Sequence, residues 1–482
     1  MDSTKTIISH TVIYGIGRAL RSIASFVMLP IYTRYLTPTD YGLIALLNVV
    51  LDLTALLIGS RLAVGVFKYY SDAQTPMAKR QVLSTSMLLL FIVNLVGVLL
   101  LCVLSGEVTI LLDAPEGFSL ALKIFAINLI FSAINEIFFS YLRILDKPIA
   151  YILVNFFKLV TQIALNILFI VYLEYGYWGM IWGGVLSSGF LMLAFCLWLM
   201  PSIGFNISAD YRKKLINFSF PIILSSLAMY YITFGDRYFI KYYHGIDDVG
   251  IYALAYQFGF ILVTVVWSPF STYWEAQQYH YGRSADATHF FGQVFFYVNL
   301  LLLTAASGIV VLAPHFLFIF AAEDFWSAIT IVPWIVCAYV FQCWIQFMQF
   351  GILQAGKTKF IAVGTFLSAF VITILYFWWI PEYGSVGAAK ATLCAFIIRF
   401  IYTYLVSQKL FAIDIPWLRL GLVIGYFLAL TMLLRSWALD DHYALVVKSL
   451  VLICCGACLL FSPIVAPSHR DVVYSSIKKF FL

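Results

Sequence analysis

The sequence predicts an all-α integral membrane protein with about fourteen transmembrane helices, and two observations lead to this class. Of its 482 residues, 63% are hydrophobic and 11% are Asp, Glu, Lys or Arg, whereas about a quarter of the residues in soluble domains are charged. The mean hydropathy is +0.95. Apolar runs of about 20 residues, the length that crosses a bilayer as a helix, follow one another along the chain. A membrane β-barrel would instead show short alternating segments.

The apolar runs can be placed one by one, with short polar connections between them. No small-residue cleavage site follows the first run, so we expect it to remain in the protein as the first helix. The predicted spans are residues 10–33, 41–60, 82–104, 118–141, 149–173, 179–200, 217–241, 250–270, 290–312, 327–350, 360–380, 385–407, 417–436 and 443–465.

Lysine and arginine in the connections predict the orientation, because cytoplasmic loops carry an excess of both. With the N-terminus inside, seventeen of these residues fall in inner connections, whereas the outer ones carry only Arg34, Lys241 and Arg435. Both termini are therefore predicted to be cytoplasmic, in a multi-pass membrane protein. The net charge of +6 is an orientation signal and predicts no nucleic-acid partner.

An internal repeat is visible in two loop motifs. The run YLTPTDYGLIAL at 35–46 recurs as YHGIDDVGIYAL at 243–254, an offset of 208 positions. The run EYGYWG at 174–179 recurs at the same offset as EYGSVG at 382–387. Because six predicted spans separate the copies, both copies enter the membrane from the same side.

The repeat predicts three parts of the chain. Residues 1–208 form a first six-helix lobe, residues 209–412 form a second, and residues 413–482 add a C-terminal helix pair with a short cytoplasmic tail. Copies with the same orientation are related by a pseudo-twofold axis along the membrane normal, and substrate sites lie between such lobes. We call the lobes the first and the second repeat.

The run LPIYTRYLTPTDYGLIALL, the two lobes and the EYGYWG-type turns resemble the polysaccharide-transporter (Wzx-like) branch of the MOP flippase superfamily. MATE drug exporters and lipid II flippases are other branches. The resemblance implies that a polyprenyl-diphosphate-linked oligosaccharide, such as a polysaccharide or O-antigen repeat unit, crosses from the cytoplasmic to the outer leaflet by alternating access. Membrane lipids and a polysaccharide polymerase or other assembly proteins are the implied partners.

Charged residues inside spans are costly and therefore predict function. Apart from the seventeen and three residues counted above, nine cations lie inside the spans or at their ends, whereas only three acids lie inside the spans, which suits an anionic cargo. Arg18 and Arg21 share a face of the first helix and could hold a diphosphate, since the guanidinium fork matches phosphate oxygens; the alternative is that they snorkel to headgroups. Lys158 and Arg399 lie deep enough to join them, whereas Lys448, near a helix end, is expected to snorkel.

The acidic residues allow two interpretations each. Glu136 lies at a depth similar to that of Lys158, so it forms either a structural ion pair with that lysine or a protonatable group that couples transport to an ion gradient. Asp52, midway along the second span, is the other candidate for ion coupling. Asp236 and Arg237 lie beside an outer loop, which predicts a gate or a solvated helix end.

Catalytic motifs are missing from the sequence. It has no G-x-S-x-G, no P-loop and no paired histidines that would bind a metal, so we expect a transporter with no enzymatic activity, no metal and no cofactor. A MATE-like exporter of soluble compounds is the alternative function, and would need a cavity rich in acids. A membrane-embedded glycosyltransferase or polymerase would need a large extramembrane loop, which the sequence lacks.

Overall fold

The computed structural model shows a chain that is helical almost throughout. Within the part of the chain that it describes there is no β-strand, and short turns connect the helices. The all-α membrane class predicted from the sequence is confirmed. Residues 10–27 of the first predicted span, which include Arg18 and Arg21, lie outside the described residues. These are 28–58, 66, 69–70, 72–145, 147–204, 206–284, 286–437 and 441–460.

The helices before residue 245 begin with a short segment and continue with long membrane-type helices. A π-helical turn, Leu168–Tyr172, follows the fifth of them. These helices are α1 (Leu29–Tyr35), α2 (Pro38–Ile58), α3 (Pro76–Leu111), α4 (Phe118–Ile144), α5 (Pro148–Ile167), α6 (Tyr177–Ile203), α7 (Ala209–Phe234) and α8 (Asp236–His244).

The helices after residue 245 include a second π-helical turn, Leu262–Trp267, and a 3₁₀ turn, Glu323–Phe325. These helices are α9 (Ile246–Ile261), α10 (Ser268–Tyr281), α11 (Ala287–Phe320), α12 (Ala328–Gln354), α13 (Lys359–Leu410), α14 (Trp417–Ser436) and α15 (Asp441–Leu460).

Ten helices of the described residues are long and apolar enough to cross a membrane. They are α2 to α6, α9 together with most of α10, and α11 to α14. Helix α15 contributes a shorter apolar stretch, Tyr443–Gly456, and α7 and α8, where we predicted the span 217–241, are not among the ten. The count of fourteen therefore stays a prediction.

Helix α13 contains two predicted spans in one segment of 52 residues. A straight helix of that length would measure about 78 Å at 1.5 Å per residue, more than twice the hydrocarbon thickness of about 30 Å. The helix is interrupted at Gly384, whose φ of 55° and ψ of −135° are not helical. The interruption lies between the predicted spans 360–380 and 385–407, so the segment can cross twice.

Two compact units can be distinguished in the chain, and each has its own core. The first unit is Met1–Leu254 with Ala362–Ala395, and the second is Ala255–Ile361 with Phe396–Leu482. In the first, α3, α4 and α6 pack together, and Phe138 stacks on Phe195 with ring centroids 4.9 Å apart. Such packing holds helices together in lipid, where no hydrophobic force drives their association.

In the second unit, α14 and α15 pack along α11. Lys448 of α15 is buried, with an exposed fraction of 1%, and its Nζ lies 2.9 Å from Nε2 of His315 on α11. The expectation that Lys448 snorkels to the headgroups is therefore wrong. A partner 133 positions away in sequence holds the amine inside the helix packing.

The internal repeat extends to backbone conformation. Helices α2 and α9 begin at Pro38 and Ile246, which are 208 positions apart. In the repeated EYG turns, Gly176 has φ 53° and ψ −137°, and Gly384 has φ 55° and ψ −135°. A positive φ favours glycine because a side chain would clash. The same residue is thus found in the same turn at both places, whereas the lobe boundaries stay a prediction.

The two equivalent helix starts are capped differently. In α2, the backbone N–H of Thr37 donates to Oδ2 of Asp40 at 2.9 Å, and the N–H of Asp40 donates to Oγ1 of Thr37 at 3.2 Å. This reciprocal arrangement is a capping box. In α9, Gly245 replaces the threonine, and the start of the helix is held instead by Ser385, whose hydroxyl donates to the carbonyl of Asp248 at 3.1 Å.

Candidate functional site

A cavity of about 210 Å³ lies inside the first unit, between α2, α4, α5 and α6. Half of the side chains around it are apolar, and the other half can form hydrogen bonds. We call it the polar hollow and define it by its six polar lining residues. These are Asn48, Asn128, Ser132, Lys158, Gln162 and Ser188.

Helical periodicity explains how α5 contributes to the hollow. Its polar residues Asn155, Lys158, Gln162 and Asn166 recur every three or four positions, so they lie on one face. Its opposite face carries exposed apolar side chains such as Phe157, as expected for a surface in contact with lipid. One face of α5 therefore presents hydrogen-bonding groups to the interior of the unit.

Helix α4 supplies a second polar face. Asn128 and Ser132 are one turn apart, and the hydroxyl of Ser132 donates to Oδ1 of Asn128 at 3.3 Å. Further along the same face, Nδ2 of Asn135 donates to the carbonyl of Ser188 at 3.0 Å. This bond ties α4 to α6 and so holds the wall of the hollow in place.

The wall between α5 and α6 depends on a close approach near the C-terminal end of α5. Asn166 donates from Nδ2 to the hydroxyl of Tyr32 at 2.5 Å. A Cβ added to Gly183 of α6 would overlap the Oδ1 of Asn166. Only glycine therefore fits at this point, and the side chains of the hollow begin one turn below it.

The chemistry of the hollow suits a hydroxyl-rich or anionic group. Asn and Gln amides each offer donors and an acceptor, as sugar hydroxyls do, and the ammonium group of Lys158 is a compact positive charge. The sequence predicted Lys158 as a binding residue but missed the five uncharged polar residues. The spacing of Gln162 and Asn166 behind Lys158 was the available signal.

Asp52 lies one helical turn beyond Asn48 on α2, and its side chain is exposed. Tyr230 of α7 approaches the same part of α2, where its hydroxyl donates to the carbonyl of Val49 at 2.7 Å. The structure therefore places Asp52 next to the hollow. Its role in ion coupling stays a prediction.

Glu136 is exposed on α4, where Nη2 of Arg143 donates to its Oε1 at 3.1 Å. The same nitrogen also donates to the hydroxyl of Ser140 at 3.1 Å. The partner shown for Glu136 is thus a residue of its own helix, two turns away. An ion pair with Lys158 of α5 is one of the two interpretations that the sequence allows, and the other, ion coupling by Glu136, stays a prediction.

The expectation that Asp236 and Arg237 form a solvated helix end is wrong. Their exposed fractions are 0% and 4%, and Nη1 of Arg237 lies 3.0 Å from Oδ1 of Asp236. The hydroxyl of Tyr252 donates to Oδ2 of Asp236 at 2.6 Å, and the guanidinium lies over the ring of Phe234. Contacts from α7 and α9 exclude water from this pair. A role as a gate stays a prediction.

The remaining predicted cations lie elsewhere. Arg399 is buried in the second unit, in the last part of α13, and Arg18 and Arg21 lie outside the described residues. Among the residues described, no group of three or more His, Cys, Asp or Glu side chains could hold a metal ion. Of the four residues predicted to bind substrate, the structure places Lys158 at a cavity.

Comparison with known proteins agrees with this architecture. The family model described as "Polysaccharide biosynthesis protein" matches residues 31–274, just over half of the chain. No curated protein matches the sequence. The match confirms the predicted likeness to proteins of polysaccharide biosynthesis.

Among solved structures, the lipid II flippase MurJ in an inward closed conformation matches with a TM-score of 0.70 and 16% identity, over 97% of this chain and 99% of that one. A multidrug resistance MATE family transporter of the MOP superfamily, in an inward-facing conformation, matches with a TM-score of 0.69 and 14% identity, over 85% and 99%. The same kind of transporter in an outward-facing conformation gives 0.57 and 13%, over 87% and 97%. At these identities the likeness shows the fold.

Proposed function

The chain belongs to the polysaccharide biosynthesis protein family, and we propose that it is a flippase for a lipid-linked oligosaccharide. Its cargo is a polyprenyl-diphosphate-linked repeat unit, moved by alternating access from the cytoplasmic to the outer leaflet of a bacterial inner membrane. The observation that carries the proposal is the polar hollow with Lys158 inside a membrane-type helical unit. A polar headgroup that crosses a bilayer needs such lining groups, because lipid offers no hydrogen bonds.

The proposal divides the work among the predicted residues. Arg18 and Arg21 bind the diphosphate, with Lys158 or Arg399 as a further positive charge, and the amides of the hollow bind sugar hydroxyls. Asp52 or Glu136 couples the cycle to an ion gradient. Both termini face the cytoplasm, and a polysaccharide polymerase or another assembly protein takes up the product.

Transport by the purified full-length chain in liposomes tests this function. The cargo is a short-chain polyprenyl diphosphate carrying an oligosaccharide, and its arrival in the opposite leaflet is read by lectin binding. We expect transfer of this lipid, and no efflux of an organic cation such as ethidium under a proton gradient. Cation efflux without lipid transfer would support the MATE-like exporter and overturn the proposal.

The arginine pair is tested in the same assay. Each hydrogen bond to a charged group contributes roughly 1.5–3 kcal/mol, so we expect Arg18→Ala or Arg21→Ala to weaken cargo binding by about tenfold to over a hundredfold. Arg→Lys at either position keeps the charge but loses the fork, and should retain part of the activity. A double alanine variant that is inserted at normal abundance and transports at the normal rate would show that the pair does not bind cargo.

A further inference from the structure

The two copies of the YLTPTDYGLIAL motif touch each other in the first unit. A Cβ added to Gly42 of α2 would overlap the carbonyl oxygen of Ile246, and one added to Gly250 of α9 would overlap the carbonyl oxygen of Pro38. Gly42 and Gly250 are equivalent at the offset of 208, and so are Pro38 and Ile246. The contact is therefore reciprocal, as in an isologous interface between identical subunits. We call it the helix crossing.

A hydrogen bond between equivalent residues lies in the middle of the crossing. The Oγ1 of Thr39 donates to Oδ1 of Asp247 at 2.5 Å, and the two positions are 208 apart. Each residue thus faces its own counterpart. Two aspartates here would repel each other, whereas a hydroxyl and a carboxylate form one donor–acceptor pair.

Close backbone contact leaves no space at the crossing for a passing molecule. Glycine allows helices in membranes to approach this closely, and the exclusion ends within a few turns. On the face of α2 that carries Gly42, the exposed fraction is 1% at Leu46 and 37% at Leu53, whereas Leu56 on the edge of the same face is at 6%. The crossing therefore closes this face of α2 at the start of the helix, and part of the face is open further along.

The closed end is the one that the lysine and arginine distribution predicts to lie outside. The Thr39–Asp247 bond is accessible to solvent, since the carboxylate side is exposed and the hydroxyl side half-buried. Net contributions of single hydrogen bonds between accessible groups are small. A bond of this kind can break and re-form during a transport cycle, unlike the buried Asp236–Arg237 pair.

We propose that the helix crossing is the outer seal of the transport path and that Thr39 and Asp247 hold it shut in the conformation seen here. The inference rests on the proposed function as a transporter. The glycines set how closely the helices meet. The hydrogen bond sets how often the seal is closed.

A charge series in the full-length protein tests the seal without any cargo. A cysteine at Leu46, directly beneath the crossing, reports opening by its reaction with a membrane-impermeant maleimide added outside, in a background in which the eight native cysteines are replaced. Thr39→Asp places two like charges face to face. Their repulsion, about 1 kcal/mol for charges about 4 Å apart in water, should raise the fraction of open protein, and with it the labelling rate, by roughly fivefold or more. Asp247→Thr leaves two hydroxyls and should change it little.

Exchanging the two residues is the matched control. Because the positions are equivalent, Thr39→Asp combined with Asp247→Thr restores one donor and one acceptor, and labelling should return to the starting rate. Unchanged labelling in Thr39→Asp, or no rescue by the exchange, would overturn the proposal.

Cross-linking supplies the second measurement. Oxidation of the Thr39→Cys, Asp247→Cys pair should block transport in liposomes, and reduction should restore it, whereas either single variant should be insensitive. A cross-linked protein that transports at full rate shows that the crossing is no seal. If labelling follows the charge series but no lipid-linked oligosaccharide moves, the seal stands and the proposed cargo is wrong.

Discussion

Two polar positions of the hollow in the first repeat are aromatic in the second repeat. On α2 and α6, where the offset of 208 applies, Asn48 and Ser188 correspond to Tyr256 and Phe396. On α4 the offset is 210, because α12 has the same length and begins and ends 210 positions later. Ser132 therefore corresponds to Gln342, and this position is polar in both copies.

Aromatic packing replaces hydrogen bonding in the second copy. In the second unit, Tyr256 packs edge-on against Tyr339 with ring centroids 5.8 Å apart, and Phe396 packs against the same tyrosine at 6.4 Å. Rings in such contacts fill volume that would otherwise hold water or ligand. The comparison teaches that the repeat preserves backbone geometry, seen at Gly176 and Gly384, while the chemistry of its interior is free to diverge.

At Asp236 and Arg237 the second repeat is the polar one and the first repeat is apolar. Their counterparts in the first repeat are Met28 and Leu29, both buried. Here the second copy holds a buried ion pair and the first copy has two apolar side chains. The polar hollow and this ion pair together mark where the two copies have taken different roles.

The largest effect is expected from replacing the lysine of the hollow by an aromatic residue. Lys158→Phe removes the positive charge and fills space. With roughly 1.5–3 kcal/mol for a hydrogen bond to a charged group, transport of the lipid-linked oligosaccharide in liposomes should fall by about tenfold or more. Phe366→Leu is the control and should transport normally. Normal transport by Lys158→Phe at normal abundance would mean that the hollow is not part of the cargo path.

A smaller effect, on stability, is expected at the buried pair. Asp236→Ala leaves the charge of Arg237 without its partner, which should lower the free energy of unfolding by about 3–5 kcal/mol. Replacing the pair by Met and Leu, as in the first repeat, with Tyr252→Phe to avoid an unpaired hydroxyl, should be close to neutral because well-packed apolar residues often substitute for buried ion pairs. Unfolding in detergent, followed by tryptophan fluorescence, measures both. Equal losses in the two variants would show that the site requires charge and not packing alone.

The smallest effect is expected at an ion pair in the turn between α3 and α4. Nζ of Lys241 on α8 lies 2.6 Å from Oδ2 of Asp113, whose side chain is almost fully exposed. The hydrogen bond from Lys241 lowers the pKa of the Asp113 carboxyl below its ordinary value. A lowered acid pKa stabilises the fold above the ordinary pKa, and this contribution is lost as the pH falls through the lowered value.

We therefore expect Asp113→Asn to lower the thermal midpoint only slightly between pH 5 and pH 8, because exposed pairs contribute little. The difference from the unaltered protein should disappear in strong acid, where Asp113 is protonated. Thermal midpoints measured in detergent from pH 8 down into strong acid check the prediction. A difference that grows in acid would mean that another group is responsible.

Hydropathy was sufficient to predict most of the helices, because a span in lipid must be both long and apolar. It also separated the two predicted spans of α13 at the short connection that contains Gly384. At α7 the predicted span 217–241 stays a prediction, because polar residues such as Asn217 and Ser219 lower the hydropathy of its apolar run. The repeat was visible in sequence because its turns need particular residues, such as glycine at a positive φ.

The site was less predictable, because charge is visible in sequence and contact is not. Lys158 was found by its charge, whereas Asn128 and Ser132 are neutral and gain significance only through the cavity that they share. The burial of Asp236 could not be predicted, because its partner Tyr252, 16 positions away, reaches it through the turn between α8 and α9. Periodicity within one helix does not show which residues of a neighbouring helix it meets.

The bond between Thr39 and Asp247 also bears on how such a chain could arise. In a dimer of two identical six-helix subunits, a residue at this point would face its own copy, so every substitution would occur on both sides at once. Threonine could pair with threonine, but an aspartate would meet an aspartate. Once a duplication has joined the two halves in one gene, each side can change alone. A hydrogen bond between two different residues, such as a threonine and an aspartate, then becomes possible.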